Sequence, residues 1–197
     1  MPTDQIFERR LSDDALAFLA SAVVDAYSVQ HRSVVEKLEA NLTHHQNWKM
    51  TAAYTGTDGD RDGRGHRRAY FWYAAHFPKY MGRRLRNAPS WFFFDRASVR
   101  RAVKPQNDEI PLHLRIPRDE LLIMQYSAGP RLSWERVLGG IPCCEHAELC
   151  SCASIPLTRA RLRAGWEHLF ELSGKPKDWQ AIADRIEPDW YVGRMSD

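Results

Sequence analysis

Four cysteines and a histidine fall within ten residues, CCEHAELCSC at 143–152, and no cysteine occurs elsewhere in the 197-residue chain. Thiolate and imidazole are the donors that tetrahedral zinc prefers, and Cys144, His146, Cys150 and Cys152 supply four of them, with Cys143 as a fifth candidate. The spacing is tighter than in a finger built from two separated C-x-x-C arms, so one ligand could come from His113 or His168. A zinc with all four positions filled by protein is structural and leaves the chemistry to other residues. Thiol redox or a disulfide, and a plain loop of unliganded cysteines, are the competing readings.

A second candidate is TDGDRDGRG at 57–65, whose Asp58, Asp60, Asp62 and Gly63 match the first half of a calcium loop. The twelfth position, where calcium needs a bidentate glutamate, is Ala69, so an Asp- and Gly-rich turn accounts for these residues. The third is electrostatic. From Arg64 to Lys104 there are eleven Lys or Arg against one acid, Asp95, in a chain whose total charge is +3. Cations there alternate with Tyr70, Phe71, Trp72, Trp91, Phe92 and Phe93. Nucleic-acid surfaces use both kinds of group, cations for phosphates and ring faces for unpaired bases. Arg67, Arg68, Lys79, Arg83, Arg84, Arg86, Arg100 and Arg101 are the expected phosphate contacts, and the alternative places the rings in the core with the arginines solvated.

The elements that must position these groups can be read from periodicity and punctuation. Ser12 caps a helix with Asp13 and Asp14 in its first turn, and Leu16, Leu19, Ala20, Val23, Val24 and Tyr27 extend its apolar spacing. Val34, Val35, Leu38 and Leu42 predict a second helix, antiparallel to the first, ending near THHQN at 43–47. WKMTAAYTGT reads as a strand, and RRAYFWYAAHF as its hairpin partner or as a helix. SWFFFD suits a buried strand, ASVRRAV a brief helix, and Ile110, Leu112, Leu114 and Ile116 alternate as in a half-buried strand. ELLIMQYS is a further apolar segment, and Ser133 can cap a short helix, WERVL, that stops at Gly139. Thr158 opens a helix with Leu162, Trp166, Leu169 and Phe170 on one face, DWQAIADRI predicts a last helix, and WYVGR a closing strand.

Together these predict a single compact α+β domain with a central, mostly antiparallel sheet. Its parts are a helical N-terminal pair (1–47), a sheet-bearing basic core (48–138), the Cys/His loop (139–156) and C-terminal helices (157–197). Apolar content of 44% and charged content of 27% fit a folded protein. An N-terminus of mixed charge, with no long apolar run after it, predicts a soluble, cytoplasmic protein without a membrane partner, where thiols stay reduced.

YTGT at 54–57 followed by YFWYA at 70–74 resembles the H-G-T and Y-F-x motifs of ADP-ribosyltransferases. That resemblance implies NAD as cofactor, Tyr54 and Tyr70 about its nicotinamide end, and a glutamate such as Glu120 or Glu135 orienting the ribose or acceptor. Residues 70–194 also resemble an uncharacterised bacterial domain family with S-D-F, W-H-x-x-L-N, S-W-E-R-I-F and V-Q-A motifs. The matching segments here are LLIMQYS, Trp134 to Leu138, Gly165 to Phe170 and Trp179-Gln180-Ala181, with Gln125-Tyr126-Ser127 in place of the acidic strand end. This second resemblance implies a fold unit and no mechanism. The expected function is thus a zinc-stabilised domain that binds a polyanion such as nucleic acid. The alternatives are an NAD-using transferase and a protein-interaction or inhibitor module that uses exposed Arg and Trp as interface anchors.

If the cysteine loop is a zinc clasp, protein purified without chelator carries about one zinc per chain with thiols protected from alkylation. Elemental analysis and thiol titration check this, and four reactive thiols with no metal would remove the clasp.

Overall fold

Alternation of buried and outward side chains accompanies the longest strand pairing among the described residues. The computed structural model describes residues 11–47, 74–102, 108–125 and 170–195. In it β1 (Val23–His31) and β3 (Glu109–Pro117) run antiparallel along their full lengths, from Val23 opposite Pro117 to His31 opposite Glu109. Val24, Ala26, Ser28, Leu112, Leu114 and Ile116 point to one face and are buried. The other strands are β2 (Ser90–Phe93), β4 (Leu122–Gln125), β5 (Trp179–Ala183) and β6 (Tyr191–Arg194). They complete one sheet of order β4-β5-β2-β1-β3-β6, every neighbouring pair antiparallel. The α+β class expected from the sequence is what the chain forms.

Two helices cover the face that carries Leu112, Leu114 and Ile116. In α1 (Asp13–Ala20) the Ser12 hydroxyl accepts from the Ala15 N–H at 3.2 Å, and Asp13 and Asp14 sit at the positive end of the helix dipole. Ala15 is its fully buried residue, and Phe18 packs edge-on against Phe94 and Trp179, with centroids 4.6 and 5.8 Å away. In α2 (Arg32–Glu39) the ring of His31 accepts from the Ser33 N–H, and Val34, Val35 and Leu38 enter the core. Residues 74–81 form helix α3, and α4 (Arg96–Ala102) starts where the Asp95 carboxylate accepts from both the N–H and the hydroxyl of Ser98.

Two sequence expectations fail, and for related reasons. The predicted first helix continues to Tyr27, but the chain leaves α1 at Ala20, and Ser21 is already extended. Val23 to His31 also carry a period of two, and nine residues of pairing with β3 override the helical spacing. Leu16 and Val23, counted on the helix's apolar face, are exposed. The N-terminal part is therefore helix, strand, helix rather than a helical pair. DWQAIADRI, predicted as a helix, supplies strand β5, all five of whose residues are buried. A short apolar run covered on both faces has no alternation to distinguish it from a buried helix. The helix expected from Thr158, the WERVL helix, the WKMTAAYTGT strand, the calcium-like turn and the cysteine loop lie outside the described residues, and α3 occupies part of the RRAYFWYAAHF segment.

A buried polar lock seats β5. The Gln125 side chain accepts from the Ser173 N–H at 3.0 Å and donates to the Asp178 carbonyl, while Trp179 Nε1 donates to the Ser173 carbonyl at 2.7 Å. Gly174, with φ +72°, makes the turn between them, and a Cβ there would stand 3.3 Å from the Asp178 carboxylate. Its carbonyl accepts from Ser12 N–H, which ties the start of α1 to the entry of β5. Replacing Gln125 by Leu strands the buried Ser173 N–H, so the urea midpoint of Gln125→Leu should fall by the equivalent of about 1–3 kcal/mol with an unchanged m value.

Candidate functional site

Arginine and lysine can serve a polyanion only where their charge is not already spent on a neighbouring carboxylate. The segments on either side of β2 meet that condition unequally. From Lys79 to Arg100 there are six Lys or Arg and one acid, Asp95, which is engaged in capping α4. Lys79, Arg84, Arg86, Arg96 and Arg100 are exposed. Arg83 is different, because its guanidinium pairs with the Glu120 carboxylate. Arg101 lies within α4, and Arg67 and Arg68 lie outside the described residues.

The Glu120 carboxylate belongs to a chain of charges at the end of the sheet where β1 and β4 begin. The single turn Arg118–Glu120 joins β3 to β4 and is tied to the residue before β1 by Arg118 N–H donating to the Ala22 carbonyl at 2.9 Å. Glu120 holds Arg83 on one side and Arg185 on the other, the latter at 3.5 Å. Arg185 in turn pairs with Glu187, which accepts from the Thr43 hydroxyl, and its guanidinium lies 5.8 Å from the Trp190 ring centroid. Burial raises the Glu187 carboxyl, but the hydrogen bonds from Thr43 and Arg185 outweigh it and hold the group below the usual carboxylate range. Two cations and two anions balance here, so the network is a clamp between loops. Glu120, one of the two glutamates considered for orienting a ribose, thus lies between two guanidinium groups.

Beside the clamp, the buried Asp184 carboxylate accepts from the backbone N–H groups of Arg86 and Asn87 at 3.0 and 3.2 Å. This fixes the backbone before β2 while the Arg84 and Arg86 side chains stay in solvent. Tyr80 is 39% exposed and stacks on Phe170 at 4.2 Å, with the Lys79 ammonium 5.3 Å from its ring centre. Of the aromatic residues expected as stacking surfaces, Phe92 and Phe93 are instead buried in the sheet, because β2 is covered on both faces. Tyr54, Tyr70, Glu135, Cys143, Cys144, His146, Cys150 and Cys152 lie outside the described residues. His113, considered as a distant zinc ligand, binds the Asp25 carboxylate through Nε2 at 2.7 Å. Among the described residues no group of three or more His, Cys, Asp or Glu could hold a metal ion, and no helix is long and apolar enough to cross a membrane.

Sequence reasoning missed Arg185, which it placed in a helix, and Glu187, which directly follows that segment. It also missed the pairing of Tyr27 with His113, because Tyr27 was assigned to helix α1. The signal was the alternation of Val24, Ala26 and Ser28, which puts Tyr27 on the opposite face of a strand.

No family model matches the chain, and no curated protein or solved structure matches it either.

His44 gives this end of the sheet a pH dependence. Its backbone exchanges two hydrogen bonds with Ile186, its ring is buried, and Nδ1 has no hydrogen-bond partner among the described residues. Burial disfavours the imidazolium and lowers the pKa from 6.5, the hydrogen bond to Gln46 opposing this only in part. The unfolded chain therefore takes up a proton first as pH falls through 6.5, so this contribution is fully present above that pH and is lost below it. Chemical denaturation between pH 7.5 and 5 should show stability declining with acidity in the wild type and a flatter profile in His44→Leu.

Proposed function

We propose that this protein binds nucleic acid through its phosphate backbone, using the cations that flank β2. The observation that carries the reading is that Lys79, Arg84, Arg86 and Arg96 remain exposed in a segment whose one acid is occupied by a helix cap. A rigid support favours it further. The backbone of Arg86 is held by Asp184, and the exposed Tyr80 ring beside Lys79 offers an aromatic surface next to the charges. Phosphate neutralisation carries little sequence information, so binding is salt-sensitive and weakly selective among sequences. The zinc expected in the cysteine loop is a separate, structural part of this reading, and metal content tests it independently.

A mixed-sequence single-stranded oligonucleotide should bind at low salt, with log K falling linearly in log salt by about 0.7 per phosphate neutralised. Replacing Lys79, Arg84 and Arg86 together by Gln should reduce that slope by about 2. Arg83→Gln should leave the slope nearly unchanged and lower stability instead, because its charge is spent on Glu120. Absence of binding by the wild type at low salt would defeat the proposal.

A further inference from the structure

One row of residues crosses all six strands on the sheet face opposite α1 and α2. By register it runs Met124, Gln180, Phe93, Tyr27, His113, Gly193, on β4, β5, β2, β1, β3 and β6 in that order. Met124, Gln180 and Phe93 are buried, whereas Tyr27 is half-buried and the His113 side chain is 21% exposed. The row therefore emerges from the core toward the β6 edge.

Along its exposed half, planar groups stand side by side. The Arg96 guanidinium lies 5.8 Å from the Tyr27 ring centre, and Tyr27 stacks on the His113 imidazole at 5.0 Å with 21° between the planes. Asp25 fixes the orientation of that imidazole through Nε2. The next position in the row is Gly193, and among the described residues nothing stands within 4 Å of where its Cβ would be. One face of the imidazole is covered by Tyr27 from β1. The other faces the strand whose register residue has no side chain, and among the described residues β6 is an edge strand. Neighbouring strands lie about 4.8 Å apart, which falls within the centroid range of stacked rings.

We propose that the gap over Gly193 is a stacking slot for one unpaired nucleobase, held against the His113 ring. The occupant follows from the charges around the slot. Arg96 ends the stack, and the exposed Arg115 is two residues from His113 on the same face, where it is the register partner of Asp25. A flat neutral ring attached to phosphates matches a slot flanked by guanidinium groups. The proposal rests on the nucleic-acid reading above but uses a different surface from the cations around Arg84 and Arg86.

The test has two arms. Wild-type protein is titrated with adenosine, which has bases but no phosphate, while the His113 ring protons are followed by NMR. A saturable upfield shift is expected, and signals that stay in place overturn the slot. In the second arm, wild type and His113→Leu are compared on a single-stranded oligonucleotide and on an abasic strand of equal length. The variant should lose about tenfold in affinity for the first and nothing for the second. Where the wild type binds both strands, equal losses on the two, or none on either, overturn the slot. If adenosine shifts His113 but neither strand binds at low salt, the slot stands and the phosphate-binding reading falls.

Discussion

The nine-residue pairing of β1 with β3 is the constraint on which the rest of the molecule depends. It fixes which side of each strand faces α1 and α2, because a slip of one residue would turn either Val24 and Ala26 or Leu112, Leu114 and Ile116 away from the core. It draws residues 21–27 out of the helix that their spacing would otherwise extend. It also sets Tyr27 opposite His113 and Asp25 opposite Arg115, so the composition of the outer face follows from the same register. Burial of one face is thus what places the polar groups of the other.

The two ends of the sheet use charge differently. Where β1 and β4 begin, Arg83, Glu120, Arg185 and Glu187 satisfy one another and join three loops, an arrangement that gives specificity of packing more than affinity for anything outside. Arg84 and Arg86, before β2, stay outside the clamp with their side chains exposed, and the one acid in their segment caps α4. The count of cations in the sequence therefore overstates those available to a partner by the share that the clamp consumes. Local pairing decides which cations can meet a phosphate.

Much of the fold was legible in residue order. The strict alternation of Ile110, Leu112, Leu114 and Ile116, the apolar SWFF run, the cap at Ser12 and the Val34, Val35, Leu38 spacing each had one dominant reading, and the chain adopts it. The failures came where a segment supported two periods or none. Residues 23–29 fit both a helix and a strand, and Trp179 to Ala183 alternate with nothing because both their faces are covered. The site was less legible than the fold, since an ion pair such as Glu120 with Arg185 joins residues that only the sheet order brings together. Arg83, Arg84 and Arg86 look alike in the sequence and differ only in whether a carboxylate stands within reach.

Strand order also bears on how the chain is made. β5 lies between β2 and β4, although both of those strands precede it by more than fifty residues. While the protein is being synthesised, β1 can find β2 and β3, but among the described strands β4 has no neighbour until residues 179–183 have left the ribosome. Until then β2 exposes an unpaired backbone edge, and the apolar side chains of Leu122 to Met124 await a surface to cover them. Such an interval is when a nascent chain is most prone to associate with others, and long-range strand insertion is intrinsically slow. The stability of the finished sheet and the safety of its assembly therefore rest on the same five residues.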